Sequence, residues 1–269
     1  AAEDAVRAFL SNWGPPVDAG AGTATPPDFE AQSDAMLEAG PAVISSIMGL
    51  YLPQFIAAMK SRGIKWFATA TAVAEAIAAQ AAGADAIIAQ GMEAGGHRGA
   101  FDAGLAEARM IGLFALLPAI VDAVDIPVIA AGGIADPRGV AAALVLGASA
   151  VQIGTGFLRC PEAGIAPAWA DAIGSARPED TLVTRAFSGR AGRAIANDYA
   201  RAAAQPDAPL AAPYPVQRGL TAAMREAALK ENNIAAMQAW AGQSAAMARP
   251  EPAGDVVHRL WHGAQELLG

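Results

Sequence analysis

Residues 84–99 read Ala-Asp-Ala-Ile-Ile-Ala-Gln-Gly-Met-Glu-Ala-Gly-Gly-His-Arg-Gly. The run from Ala84 to Ala89 is short and continuously apolar apart from Asp85, the pattern of a parallel strand covered on both faces. It stops at Gln90, and a glycine-rich turn follows with one histidine in it. A buried strand ending in such a turn is how α/β barrels build their sites, because catalytic side chains sit at the C-terminal ends of the strands. The glycines let the backbone approach a ligand closely. His97 carries the only nearby side chain whose ordinary pKa lies near neutrality.

Working outward, the same unit recurs. Ala42–Met48 is apolar, ends at Gly49 and precedes a helix-like stretch, Pro53–Ser61. Lys65–Ala70 is followed by an Ala/Glu-rich helix from Thr71 to Ala82, with Thr71 as its expected N-cap. After Asp85–Gln90 and a long loop, an amphipathic helix is expected over about Leu105–Val124. Ile126–Ala131 leads into Gly132-Gly133 and a short helix, Pro137–Leu146, and Ala148–Ile153 ends at Gly154-Thr155-Gly156. Five strands alternating with helices imply a parallel sheet with right-handed crossovers. A closed barrel has eight, so the residues alone leave an open sheet and an incomplete barrel as alternatives. Residues 14–32, rich in Gly and Pro, read as a loop excursion. Past residue 160 the pattern changes: 163–185 looks helical, 187–219 is punctuated by Gly and Pro, and 219–246 and 252–268 look like two further helices. The expected organisation is a (β/α) portion over 1–160 and a mostly helical segment over 161–269 packing on it as one structural unit.

Composition bounds the function. Of 269 residues, 54% are hydrophobic and 16% charged, enough for a large core and against disorder. A net charge of -8 disfavours nucleic acid and anionic membranes as partners. No run of about 18 uncharged apolar residues is present, and no basic-then-apolar leader, so a cytoplasmic protein is expected. The single cysteine, Cys160, excludes an internal disulfide, fits a reducing compartment and reads as a packed, inert thiol. The sequence opens on Ala1 inside a helix-like segment reaching Trp13, which points to residues upstream.

Two glycine strand ends, Gly132-Gly133 and Gly154-Thr155-Gly156, lie one βα step apart. Either alone reads as a tight strand-to-helix turn. Together, with the His97 turn on the preceding strand, they read as an anion site built from backbone N–H groups and a helix N-terminus. Glu93 and Arg98 flank His97 and are expected to tune its charge in opposite directions. His258 and His262 have i, i+4 spacing, but no third ligand is evident in the sequence and no metal is expected. Arg185, Arg190 and Arg193 surround Phe187-Ser188-Gly189 and read either as anion contacts or as solvated loop cations. Tyr214 and Trp240–Gln243 read either as walls for a flat aromatic ligand or as core packing.

Three segments resemble a known family: Gln90–Gly99, Pro127–Ile134 and Gln152–Phe157 are similar to the nitronate monooxygenases, formerly called 2-nitropropane dioxygenases. Arg185–Arg190 and Trp240–Gln243 look like further family segments, and the resemblance runs from about residue 35 to 250. It implies a TIM (β/α)8-type barrel binding FMN. The family carries about three strands ahead of the segment matching Ala42–Met48, so this sequence would hold the later strands and the C-terminal helical segment. Carried over, Gln90 and Gly95 would contact the flavin, and Gly132, Gly133, Gln152, Ile153, Gly154 and Thr155 would hold its phosphate. His97 would be the catalytic histidine, a base toward a nitroalkane or an orienting group for its nitronate. The implied reaction oxidises a nitronate with O2 to a carbonyl compound and nitrite, with a homo-oligomer compatible. The alternatives are an FMN-dependent NAD(P)H reductase of the same fold, acting on enoyl-acyl-carrier protein or quinones, and a non-catalytic flavin-binding remnant.

Overall fold

The computed structural model describes residues 2–23, 25–26 and 28–269. Ala1 of the helix-like opening, and Ala24 and Pro27 of the 14–32 excursion, lie outside the described residues. The chain forms two compact units that interleave along the sequence. One comprises Pro26–Ala94, Arg98–Ile153 and Leu260–Gly269, the other Ala1–Thr25, Gly95–His97 and Gly154–Arg259.

The first unit is built on parallel strands β1 (Val43–Ser46), β2 (Lys65–Ala70), β3 (Ala86–Gln90), β5 (Val128–Ala131) and β6 (Ala150–Gln152), in the order β1-β2-β3-β5-β6. The register aligns Thr69 with Ile88 and Ile88 with Ile129. All five residues of β3 are buried, as its apolar run requires of a central parallel strand. The ends of the sheet are different: β1 alternates exposed and buried residues, and β6 has no fully buried residue. Helix α2 (Phe29–Ala39) precedes β1, and α3 (Pro53–Ser61), α4 (Val73–Ala82), α5 (Leu113–Val121) and α6 (Pro137–Val145) lie in the connections between strands. Met59, Trp66, Ile87, Leu116, Leu117 and Ile120 are the large side chains at the core.

In the second unit an antiparallel sheet has the order β4-β8-β7, from β4 (Gly96–His97), β7 (Thr181–Thr184) and β8 (Gly192–Ile195). Helix α1 (Ala2–Leu10) puts Val6 and Leu10 into a core with Phe187, Tyr199, Leu220 and Met224. The remaining helices of this unit are α7 (Pro167–Ser175), α8 (Asp198–Ala203), α9 (Val216–Leu220) and α10 (Ala222–Lys230), while the residues of α11 (Ala253–Leu268) are divided between the units at Arg259 and Leu260.

Several local expectations are corrected. The 14–32 excursion ends early, because Asp28 accepts hydrogen bonds from the N–H groups of Glu30 and Ala31 and starts α2 at Phe29. The helix expected over Leu105–Val124 is only Leu113–Val121. The stretch 163–185 contains strand β7 as well as α7, and 187–219 holds β8, α8 and α9. Residues 219–246 yield α10 and then turns. Here tertiary pairing overrides alanine-rich local propensity. Thr71 is not the N-cap of α4; that position is Ala72, which makes no side-chain cap. Instead the Glu75 carboxylate accepts from the Thr71 N–H at 2.7 Å and hydroxyl at 2.9 Å, and from the Phe101 N–H at 2.9 Å.

Glu75 thereby ties the end of β2 to the segment that follows the glycine turn, through three bonds to one carboxylate. Glu75→Ala is expected to lower unfolding stability by about 2–3 kcal/mol, since bonds to a charged acceptor are the strong kind. Urea denaturation measures this; a loss under about 0.5 kcal/mol, the usual scale for surface substitutions, refutes the tie.

Candidate active site

The turn after β3 is closed by its own side chains. Gln90 is buried, and its Oε1 accepts from the Gly99 N–H at 2.8 Å. Arg98 is buried as well, and its guanidinium donates to the Gly91 carbonyl at 2.7 Å and the Gln90 carbonyl at 3.2 Å. Strand-end carbonyls thus meet the Nη1 end of a charge that is costly to bury alone. Glu93 accepts from the Leu113 N–H at 2.9 and 3.1 Å, so a carboxylate 20 residues upstream caps the first turn of α5. Both charged neighbours of His97 in sequence thus carry bonds of their own.

His97 is half-buried in the second unit. Its backbone pairs with Gly192 of β8. Its Nε2 lies 2.7 Å from the Ser188 hydroxyl, and its ring meets Trp240 at 5.0 Å between centroids. Phe187, fully buried, backs Trp240 in an edge contact at 5.8 Å. Burial lowers the His97 pKa from its ordinary 6.5, and the positive charges of Arg190 and Arg218 lower it further. The imidazole is neutral at pH 7, the form that takes a proton. Arg190 lies over the Tyr214 ring at 5.0 Å. Arg193 is buried and donates to the Thr181 hydroxyl at 3.0 Å. Of the arginines flanking Phe187–Gly189, the structure brings Arg190 into the field of His97. Arg218 and Ser188 were missed by sequence reasoning: a surface arginine on α9 carries no local signal, and Ser188 stood out only as part of the Arg185–Arg190 segment.

In the first unit Gly132 and Gly133 turn the chain at the end of β5 with φ of 106° and 70°, a path that strains any other residue. A Cβ at Gly132 would lie 2.9 Å from the Ala94 nitrogen, and one at Gly133 would lie 3.2 Å from the Glu93 Cβ. The pair therefore seats the Glu93-Ala94 turn. The following helix α6 is capped by Asp136, whose carboxylate accepts from the Gly139 N–H at 3.0 Å. One N–H of its N-terminus is thus met by its own capping carboxylate. Gln152, at the end of β6, is exposed. In the second unit a Cβ at Gly154 would meet nothing within 4 Å, and the Thr155 hydroxyl accepts from the Gly242 N–H at 3.0 Å. Gly95 faces Gly242 and Thr155 so closely that a Cβ there would lie 2.5 Å from the Gly242 nitrogen. Cys160 is buried, and burial pushes its thiol pKa up, the state of an unreactive thiol.

Comparison with known proteins gives one consistent answer. The family model described as nitronate monooxygenase matches residues 15–263. A protein described as "Probable nitronate monooxygenase" from Staphylococcus aureus (strain Newman) is 39% identical over 240 residues, covering 89% of this chain and 67% of that protein. Among solved structures, nitroalkane oxidase from Streptomyces ansochromogenes superposes with a TM-score of 0.87 at 37% identity, covering 99% of this chain and 79% of the other. FabK from Thermotoga maritima gives a TM-score of 0.77 at 30% identity, covering 91% and 74%. These similarities place the parallel strands in the barrel-type α/β class.

With three histidines in the chain, imidazole C2–H resonances can be followed one by one. His97, assigned by its loss in His97→Asn, is expected to titrate below 6.5, and Arg190→Gln is expected to move it upward. A His97 that titrates at or above 6.5 in the wild type contradicts the cationic field described here.

Proposed function

The chain belongs to the nitronate monooxygenase family and is an oxidoreductase of nitronates or nitroalkanes, and we propose that it works with FMN and O2, with His97 as the base toward a nitroalkane. The observation that carries this reading is the imidazole itself: half-buried, neutral at pH 7, and set among cations. A nitroalkane carries a weakly acidic C–H. When His97 takes that proton, the C–H electron pair moves into the nitro group and a nitronate anion forms. Arg190 and Arg218 favour that anion as strongly as they disfavour a second positive charge on His97. Half-buried Trp240, beside His97, narrows the access of water.

The residues proposed for FMN are those with backbone at the strand ends. In the first unit they are Gln90, Gly132, Gly133, Gln152 and Ile153; in the second they are Gly95, Gly154 and Thr155. The fit is best at Gly154, where the space a side chain would take is open. At Gln90 the amide oxygen holds the Gly99 N–H at the end of β3, which fixes the side chain proposed to contact the flavin. Bound FMN supplies the electron transfer to O2 that neither the imidazole nor the arginines can perform. The products are a carbonyl compound and nitrite, and the protein is proposed to act in the cytoplasm.

Purified protein is expected to show a flavin spectrum and to release nitrite from both a nitroalkane and its preformed nitronate. His97→Asn should lower kcat/KM for the nitroalkane by about 10²–10⁴-fold, the usual worth of a positioned base, and that for the nitronate by less than about tenfold. Because the base must be unprotonated, the nitroalkane profile should fall as pH drops through a value below 6.5. Oxidation of NAD(P)H with an enoyl thioester and no nitrite would replace this reading with the reductase one. A colourless protein that stays inactive with added FMN would leave the flavin-binding remnant.

A further inference from the structure

We propose that a cavity between α2 and α3 of the first unit binds an organic ammonium ion with an apolar or aromatic body. None of its residues belongs to the flavin or His97 readings, so the two are tested separately.

The cavity holds about 300 Å³ and is formed by one face of α2, the loop after β1 and the first turns of α3. Phe29, Ser33 and Leu37 recur every fourth residue along α2 and therefore share a face. Leu37 and Phe55 are buried and form the floor, while Phe29 and Leu52, 57% and 60% exposed, stand at the mouth. Three rings make the wall. Phe29 stacks on Tyr51 with 6.2 Å between centroids and 17° between planes, and Tyr51 tilts against Phe55 at 4.8 Å. The Tyr51 hydroxyl donates to the Ser45 carbonyl at 2.8 Å, which fixes the middle ring. A volume at the small end of the ligand-pocket range suits one ring with a short substituent.

Charge selects the ligand. The charged residues lining the cavity are Glu30 and Asp34, and among the described residues no lysine or arginine lines it. Helix α2 does not require this pair. Asp28 already caps it, accepting from the N–H groups of Glu30 and Ala31, and Asp34 lies beyond the first turn, where the helix dipole no longer favours a carboxylate. Aromatic faces attract cations, and carboxylates beside them add full negative charges. An anion such as a nitronate or a phosphate is repelled. A neutral apolar molecule gains the rings but not the charge. A second copy docked about a two-fold axis would bring carboxylate against carboxylate, because an isologous contact sets the same patch against itself.

The probe is benzyltrimethylammonium, titrated into the 15N-labelled full chain, with benzyl alcohol and phenylacetate as its neutral and anionic counterparts. The cation is expected to saturate with a dissociation constant below about 1 mM, shifting amide resonances of α2 and α3. The two counterparts should bind at least about fivefold more weakly, the combined worth of cation–π contact and exposed ion pairs. Raising the salt through the range where exposed charges are screened should weaken only the cation. Phe29→Ala should weaken it about tenfold through the lost ring face and apolar contact, and Asp34→Asn about two- to fivefold. Both residues are exposed, and an unchanged spectrum elsewhere verifies that each variant folds. Three results overturn the proposal: no saturable binding of the cation, benzyl alcohol binding as well as the cation, or cation binding that neither shifts α2 and α3 nor weakens in the two variants.

Discussion

The closure of the turn after β3 by two buried polar side chains is the constraint on which the rest of the first unit's loop architecture depends. A parallel strand ends with carbonyls that its neighbours no longer pair. Here Arg98 takes two of them and the Gln90 amide takes the returning Gly99 N–H. Burying a guanidinium is costly, and the two carbonyls at its Nη1 offset part of that cost. The bond pattern also spends the charge. Arg98 acts as a staple on the strand end, and Glu93 commits its carboxylate to the first turn of α5. Both residues thus carry structural bonds in the segment after β3.

The cationic field at His97 has a double effect. Cations beside a histidine lower its proton affinity and so weaken it as a base. The same cations stabilise the anion that proton removal creates. For a carbon acid whose conjugate base is a nitronate, the second effect acts on the product of the step while the first keeps the imidazole in its reactive form. Burial pushes the same way as the arginines. A carboxylate partner would do the reverse, holding the ring as an imidazolium that has no lone pair to offer. The arrangement therefore favours proton abstraction from a neutral substrate over general-acid chemistry.

How much of this was legible depends on the range of the interaction. The strands β1, β2, β3, β5 and β6 were readable because a buried parallel strand needs a continuous apolar run, and each run stops at a turn or a glycine. Helix α3 was read to the residue, since Pro53 marks its first turn. The strands β7 and β8 were not readable. Thr181–Thr184 sits among alanine-rich helical sequence and becomes a strand only because Gly192–Ile195 pairs with it. Within the site, His97 was marked by its glycines, whereas Ser188 reaches it from 91 residues away. A serine next to a phenylalanine and a glycine has no feature that announces such a partner. The Thr71 cap failed for a related reason: the nearby Glu75 carboxylate outcompeted the usual cap geometry.

The glycines divide into two kinds, and the division bears on the ligand. Gly132 and Gly133 have backbone angles that exclude other residues, and each seats part of the Glu93-Ala94 turn. Gly95 has no room for a Cβ because Gly242 lies against it. These three are demanded by the protein's own packing, so their presence would be the same with or without a cofactor. Gly154 is different. Its φ is -104°, open to any residue, and a Cβ there would touch nothing. Packing supplies no reason for glycine at that strand end. On the proposed FMN reading, a ligand brought against the backbone would supply one, and Gly154 is the glycine at which that reading and the packing differ most.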